Sequence, residues 1–441
     1  MIVYLDNAST TKPSEAATAA SLDAFTLNYG NPSSAHSMGQ DAERIVKNAR
    51  LTVAASLGAR PEQIVFTGSG TEANNLAVHT AFGGRAFGGR TPLADSGMIF
   101  TSPVEHPSVA APIARFAELG AQVSVLSTDA CGTVDCGALG HAMDEAFRRG
   151  EAKRALISVM HVNNELGTIQ PVAEIARVKA GFAETTGAEI LLHTDAVQSF
   201  CKVPIDVTSA MAVGYGGFGG VDLLSCCAHK VHGPKGIGAL YALRPEKVVP
   251  SVLGGGQERG MRSGTENVPG VAGFGAAVAE RAIGNVDRSG GAAGSSNGLA
   301  DSVAGLAGRT ASLRSRLLRH IEDSIPDVRV NSPREASARG EPGLCSPYIL
   351  NVSFLGTRGE VLLHDLEQQG VFVSTGSACS NIGKGAKRKN PVLAAADLTP
   401  AEAEGAIRFS FSRYTTEEEI DYAAEQVAAA VKRFRTLGTF R

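Results

Sequence analysis

Lys230 stands in the run Ser225-Cys226-Cys227-Ala228-His229-Lys230-Val231-His232-Gly233-Pro234-Lys235-Gly236, between a histidine and a Gly-Pro turn. An amine so placed can bind an aldehyde. The preceding Val221-Asp222-Leu223-Leu224 reads as a short buried strand, and Gly233, Pro234, Gly236 and Gly238 break up the chain on the other side of the lysine. The lysine therefore falls at a strand end, where partial loss of solvent lowers the amine's proton affinity and frees it for Schiff-base chemistry. For the other members of the 41 Lys plus Arg, a solvated surface charge is the ordinary reading.

Other residues suggest a partner chemistry. In Phe66-Thr67-Gly68-Ser69-Gly70-Thr71-Glu72-Ala73 a glycine turn joins a strand to a helix, so backbone N–H groups and the helix dipole can hold a phosphate. The letters also fit the dinucleotide pattern Gly-x-Gly-x-x-Ala, but the acidic residue that pattern requires would be Asp95, inside a low-complexity stretch and not at a strand end. Asp195 follows the apolar Leu191-Leu192-His193. It is a helix N-cap or, given an aldehyde-binding lysine about one strand later, the carboxylate that pyridoxal phosphate enzymes set against the protonated pyridine nitrogen. Arg408 is a charge out of pattern in the strand-like Ala406-Ile407-Arg408-Phe409-Ser410. Cys379 lies in Thr375-Gly376-Ser377-Ala378-Cys379-Ser380-Asn381, the composition of an accessible loop, and Lys384, Lys387, Arg388 and Lys389 nearby favour a thiolate. Cys226, Cys227, His229 and His232 fit no common zinc spacing, so no metal site is expected.

The elements that must position these groups are legible as alternation. Apolar runs at Ile64–Thr67, Ile99–Ser102, Val123–Leu126, Leu156–Met160, Ile190–His193, Val221–Leu224 and Ala239–Tyr241 alternate with helical patterns such as Pro107–Leu119 and Val172–Thr186, the latter closed by Gly187. This predicts an α/β domain with a mainly parallel sheet, whose ligands bind beyond the carboxyl ends of the strands. After Gly270 come an Ala-rich helical stretch and a Gly/Ala/Ser-dense run, Asp287–Gly308, read as a flexible surface insertion. Helices over Leu313–Ile325, Gly359–Gln369 and from Thr416, with strands at Tyr348–Phe354 and Ile407–Phe411, predict a smaller α+β domain. A second insertion, Phe82–Gly97, repeats Phe-Gly-Gly-Arg twice.

Composition excludes several classes. At 441 residues the chain exceeds the roughly 250 to 300 at which single cores stop growing, so two domains are expected. A net charge of -3 offers no field for nucleic acid or an anionic membrane, and no apolar run is long enough to span a bilayer. Seven cysteines and no leader-like start argue against a disulfide framework and for a cytoplasmic protein.

The chain resembles the cysteine desulfurases of the class V aminotransferase family, fold type I pyridoxal phosphate enzymes. The resemblance rests on Tyr4-Leu5-Asp6-Asn7-Ala8-Ser9-Thr10-Thr11, Asn31-Pro32-Ser33-Ser34, Gly70-Thr71-Glu72-Ala73-Asn74-Asn75, Glu105-His106 and Asn163-Asn164-Glu165-Leu166-Gly167. It continues through Asp195-Ala196-Val197-Gln198, His229-Lys230, Gly254-Gly255-Gly256-Gln257-Glu258, Arg262-Ser263-Gly264-Thr265-Glu266-Asn267 and Gly376-Ser377-Ala378-Cys379-Ser380. It implies a large domain over 16–270 with a seven-stranded sheet, a small domain over 271–441 carrying the cysteine loop, and an N-terminal segment, 1–15, packed with the latter.

The resemblance also implies roles. Lys230 binds pyridoxal 5'-phosphate and moves the substrate's α-proton, Asp195 pairs with the pyridinium, and His106 stacks on the ring. Asn164 and Gln198 bond the phenolic oxygen. Gly70, Thr71, Cys227, His229 and, across a homodimer interface, Thr265 surround the phosphate. Arg408, with Asn164, takes the carboxylate of L-cysteine, and Cys379 accepts its sulfur as a persulfide for a scaffold or carrier protein, serving iron–sulfur cluster assembly or tRNA thiolation. A selenocysteine lyase shares these parts and is the alternative. Lys384–Lys389 is a solvated charge run or a contact for an acidic acceptor. One departure stands out: relatives usually carry Ser or Thr at the position of Cys227, and a thiol is a weak donor.

Overall fold

Strands covered by helices on both faces read as continuous apolar runs. Ile64–Thr67 and Leu223–Cys227 are of this kind, buried at every position. The computed structural model describes residues 1–86, 97–148, 154–208, 217–282, 303–337, 343–375 and 390–436. The chain opens with β1 (Val3–Tyr4), α1 (Glu15–Thr26) and α2 (Ser37–Ser56). Then β2 (Ile64–Thr67), α3 (Gly70–Ala86), β3 (Gly97–Thr101), α4 (Pro107–Glu118), β4 (Gln122–Val125), α5 (Cys136–Arg148), β5 (Arg154–Ser158), α6 (Val172–Thr186), β6 (Glu189–Asp195), β7 (Leu223–Cys227) and β8 (Gly238–Ala242) build the large sheet and its helices.

The strand order is β2-β8-β7-β6-β5-β3-β4, and only β8 runs against its neighbours. The carboxyl ends of β2, β3, β5, β6 and β7 therefore share one edge of the sheet. Ligands of open α/β sheets bind beyond such an edge.

The remainder comprises α7 (Val268–Ala282), α8 (Val303–Ser324), β9 (Val328–Val330), β10 (Ile349–Phe354), α9 (Gly359–Gln368), β11 (Val371–Phe372), α10 (Pro391–Ala395), α11 (Pro400–Glu404), β12 (Ala406–Ser410) and α12 (Glu417–Thr436). An antiparallel sheet, β12-β10-β9, packs with α8, α9 and α12 around Leu317, Phe354, Phe409 and Val427. β1 pairs in parallel with β11, and Val3 and Leu5 join this second core.

Three expectations change in detail. The boundary expected at 270/271 falls inside α7, whose Val271, Phe274 and Val278 belong to the larger core. The run 287–308 is not loop throughout: α8 starts at Val303, and Val303 and Ala307 are buried. Likewise 82–86 extends α3 and Gly97 begins β3. Alanine and leucine favour a helix wherever one face can be buried, even in a glycine-rich stretch. Among the described residues no helix is long and apolar enough to cross a membrane.

Candidate active site

Lys230 ends a 3-10 turn, Ala228–Lys230, that follows β7 directly. Its Nζ donates to the carbonyls of Ala8 and Ser9, each at 2.6 Å. Those carbonyls arrive from the other core. After β1 the chain runs beside β12, where the Ser410 hydroxyl accepts from Ala8 N at 2.8 Å, and then Thr11 N donates to His229 O at 2.9 Å. The N-terminal segment thus carries backbone acceptors from the small sheet to the lysine.

Asp195 closes β6, the strand beside β7, and is 4% exposed. Its Oδ2 accepts from Asn74 Nδ2 at 2.7 Å and its Oδ1 from Val197 N at 2.9 Å. Burial pushes the carboxyl above its ordinary range, against the pull of Val197 N–H, His106, Asn74 and Lys230. The Val197 bond serves the turn after β6, and no helix follows for Asp195 to cap. His106 caps α4, with Pro107 at the first helical position, and its Nδ1 accepts from Ser108 N at 3.1 Å. Burial lowers its proton affinity, opposed by Asp195 and helped by Lys230. A cavity of about 710 Å³ opens beside it, lined by Thr71, Asn75, His79, His106, Ser108 and Arg115 among others.

The glycine turn is a close fit, against side chains at Gly70 and against backbone at Gly238. A Cβ on Gly70 would lie 2.8 Å from Val197 Cγ2 and 3.5 Å from Cys227 Cβ, and one on Gly238 would lie 2.6 Å from the Ser69 carbonyl carbon. Only glycine lets the start of α3 lie this close to β8 and the ends of β6 and β7. The N–H groups of Gly70 and Thr71 precede the first intrahelical bonds, an arrangement in which a helix start can receive an anion. Cys227 borders it, with Sγ 3.7 Å from the position of that Gly70 Cβ, while Cys226 points the other way into the large core. Strand alternation thus separates the two cysteines. Burial holds the Cys227 thiol neutral, pushed up to about 11 despite Lys230. His229, whose Nδ1 is 3.2 Å from Thr10 Oγ1, is pushed down to about 4 by burial and by Lys230. Thr265 is exposed and lines a separate cavity with Thr67, Gly68 and Arg262.

Gln198 Nε2 donates to Ala8 O at 2.9 Å, the same carbonyl that Lys230 reaches. Arg408 is 5% exposed on β12; its guanidinium donates to Asn164 O at 2.9 Å, Asp6 Oδ1 at 2.9 Å and Ser9 Oγ at 2.7 Å. The arginine and Asn164 are thus together, with Asp6 already on the guanidinium. Cys379 and the basic residues 384–389 lie outside the described residues. The segment's flanks are anchored beside the site: Ser374 bridges Arg408, and Asn390 Nδ2 donates to Glu165 Oε2 at 2.5 Å.

Three neighbours of the site carry no chemical signature of their own in the sequence. Asn74 and Ser108 bond the groups around Asp195 and His106. Lys202 donates to Gln198 Oε1 at 3.1 Å, and burial with Lys230 and Arg281 pushes it down to about 7. The signal that could find one of them is helical spacing on α3, four residues from Gly70 to Asn74, which sets the two on one face.

A lysine and a carboxylate after adjacent parallel strands, beside a helix that starts on glycine, are the geometry of fold type I among pyridoxal phosphate-dependent enzymes. The sequence pattern of the aminotransferase class-V family matches residues 3–289 and 304–423, and the chain belongs to that family. It is 35% identical over 440 residues to "Cysteine desulfurase IscS" of Dictyoglomus turgidum, covering 100% of this chain and 97% of the relative. A "Cysteine desulfurase" of Trichormus azollae is also 35% identical, over 441 residues, covering 100% and 95%. Among solved structures, a "NifS-like protein" superposes with a TM-score of 0.78 at 31% identity, covering 98% of this chain and 100% of that one. "SspA in complex with cysteine" does so with 0.69 at 30% identity, covering 94% and 100%.

Proposed function

We propose that the protein is a pyridoxal phosphate-dependent cysteine desulfurase, which takes the sulfur of L-cysteine and releases L-alanine. The observation that carries this reading is the placement of Lys230 and Asp195 after neighbouring strands beside the Gly70 turn. The donor set suits the cofactor in kind: an amine for its aldehyde, a buried carboxylate for its ring nitrogen, and a helix N-terminus cleared of any Cβ for its phosphate. Gly70, Thr71, His229 and Cys227 would hold the phosphate, Asn164 and Gln198 the phenolic oxygen, and His106 the ring face. When bound, the group supplies an electron sink for bonds broken at the substrate's α and β carbons.

The chain's own residues do the rest. Hydrogen bonds from Asn74 and Val197 favour the ionised form of Asp195 against its burial. Lys230 Nζ moves the proton at the substrate's α-carbon. Arg408 binds the substrate carboxylate, sharing a guanidinium now held by Asp6 and Ser9. Cys379 attacks the substrate's sulfur as a thiolate: the new S–S bond forms as the Cβ–S bond breaks, and that bond's electron pair remains with the carbon skeleton, which is protonated to alanine. The products are one alanine and one persulfide, with no external oxidant or reductant. An acceptor protein then removes the sulfur. The active unit is a homodimer in which the exposed Thr265 completes the partner's phosphate site, and the setting is a reducing cytoplasm in which the cysteines stay thiols.

The test is to incubate the purified protein with pyridoxal phosphate and L-cysteine and measure alanine. Alanine formation is expected, together with visible absorbance from a lysine-bound cofactor that disappears in Lys230→Ala. Absence of both from the unaltered protein would refute the reading.

A further inference from the structure

Two side chains with no step of their own in the proposed reaction tie His106 to Asp195. Asn74, on α3 and 1% exposed, donates through Nδ2 to Asp195 Oδ2 at 2.7 Å and to Ser108 Oγ at 2.8 Å. Ser108, at the start of α4 and 8% exposed, has its Oγ 2.7 Å from His106 Nδ1 and donates its backbone N–H to the same nitrogen at 3.1 Å.

The protons in this chain can be counted. An amide NH2 has two, and here one goes to the carboxylate and one to the serine oxygen. Ser108 Oγ therefore accepts from Asn74, and its single proton is left for His106 Nδ1. That nitrogen faces two donors, the hydroxyl and the backbone N–H, and can only accept. Reversing the Asn74 amide would set its oxygen against the Asp195 carboxylate oxygen and lose that bond, and the Ser108 N–H independently requires an acceptor at His106 Nδ1, so the carboxylate and the helix start together fix the direction of the chain. The arrangement holds even though it leaves Asn74 Oδ1 buried and without a partner among the described residues.

We infer that Asn74 and Ser108 are positioning residues that carry the hydrogen-bond direction set at Asp195 to His106 and hold its imidazole neutral, with the proton on Nε2. A charged imidazole would need a proton on Nδ1, directed at two donors. Burial favours the same state, as does Lys230, while Asp195 opposes it. The other titratable groups lining the cavity are His79 on α3 and Arg115 on α4. The consequence rests on the proposed function: His106 then presents a hydrogen-bond donor from a neutral ring, adding no positive charge beside Lys230.

The test reads the imidazole itself. Full-length protein as purified, labelled with 15N-histidine, would be titrated by NMR, with the His106 signals assigned by their loss in His106→Gln. The expected spectrum shows an unprotonated Nδ1 and a protonated Nε2 throughout the neutral range. Ser108→Ala removes the hydroxyl and keeps the backbone N–H, and is expected to mix the two tautomers and raise proton affinity about fivefold, the effect of one neutral hydrogen bond. Ser108→Thr restores the hydroxyl and should restore the spectrum, which a general packing role would not require. The acid limb of kcat against pH should move upward in Ser108→Ala and return in Ser108→Thr. A proton on Nδ1 in the unaltered protein, or a Ser108→Ala spectrum identical to it, would overturn the inference. The spectra are read without substrate, so they decide the matter whether or not cysteine is turned over.

Discussion

The two ends of the large sheet hold their charges in opposite ways. At the amino ends, cations meet anions: Lys179 pairs with Asp222, Arg154 with Glu189, and Lys247 with Glu189 at 3.4 Å, around a cavity of about 360 Å³. Glu189 lies below its usual range there, because Arg154 and Lys247 outweigh its burial. At the carboxyl ends, the charges on the large sheet's own strands and turns rest on neutral dipoles instead, while Arg408, from the small sheet, pairs with Asp6. Asp195 is held by an amide and a backbone N–H, Lys230 by two carbonyls, and Lys202 by the Gln198 amide. Proton affinities shift accordingly, upward for Asp195 and Cys227 and downward for His106, His229 and Lys202. Charges that satisfy each other stabilise a fold, whereas charges held by dipoles can still engage a charged guest.

Substitutions that treat both ends alike should therefore fail differently. Asp195→Asn is expected to lower kcat by about 10² to 10³ with little change in the urea midpoint, since a charge aimed at the reacting group is lost. Asp222→Asn leaves the half-buried Lys179 with only the Gly220 carbonyl in place of its anion and should reduce unfolding free energy by about 1 to 3 kcal/mol, with alanine formed per folded molecule unchanged. Equal stability losses and equal rates in the two variants would erase the distinction.

A smaller effect concerns pH. Burial pushes His161, His193 and His232 down to about 3 and His229 to about 4, so below their ordinary 6.5 the unfolded chain binds protons the native state refuses. Stability from these four is present above pH 6.5 and is lost as pH falls toward 3, at about 1.4 kcal/mol per pH unit for each unmatched proton. Glu105 and Glu165, pushed up by burial to about 8 and about 7, act with the opposite sign from pH 4.5 upward, as does Asp195, while His79 and His106, also lowered by burial, add to the four histidines. Urea midpoints should therefore fall between pH 6.5 and 4.5. The smallest effect is Cys227→Ser, which replaces a neutral thiol by a better donor and should tighten cofactor binding about fivefold in an equilibrium titration.

The sheet and its edge were legible because strand-forming runs and their terminal residues are local signals. Asp195 and Lys230 could be placed at strand ends from the apolar runs before them, and Gly187 marked the end of α6 with φ 66°. Long-range pairings were not legible: nothing near Asp6 announces Arg408, 402 residues away, or pairs β1 with β11. Lys202 reads as a solvated charge until the fold buries it at 4% exposure, and Ser108 lies inside the Pro107–Leu119 helical pattern with no mark of its bond to Asn74 on another helix. The Gly/Ala/Ser-rich run misled over 303–308 because composition there outweighed the helical spacing of Val303 and Ala307.

The central claim is that the charges at the carboxyl edge serve transfer of cysteine's sulfur to Cys379. A single turnover with L-cysteine, followed by mass spectrometry of the peptide carrying Cys379 and quantification of alanine, tests it most directly. The account predicts one alanine and one added sulfur on that peptide per active site, and neither in Cys379→Ser. Alanine formed without sulfur on Cys379, or undiminished in Cys379→Ser, would contradict it.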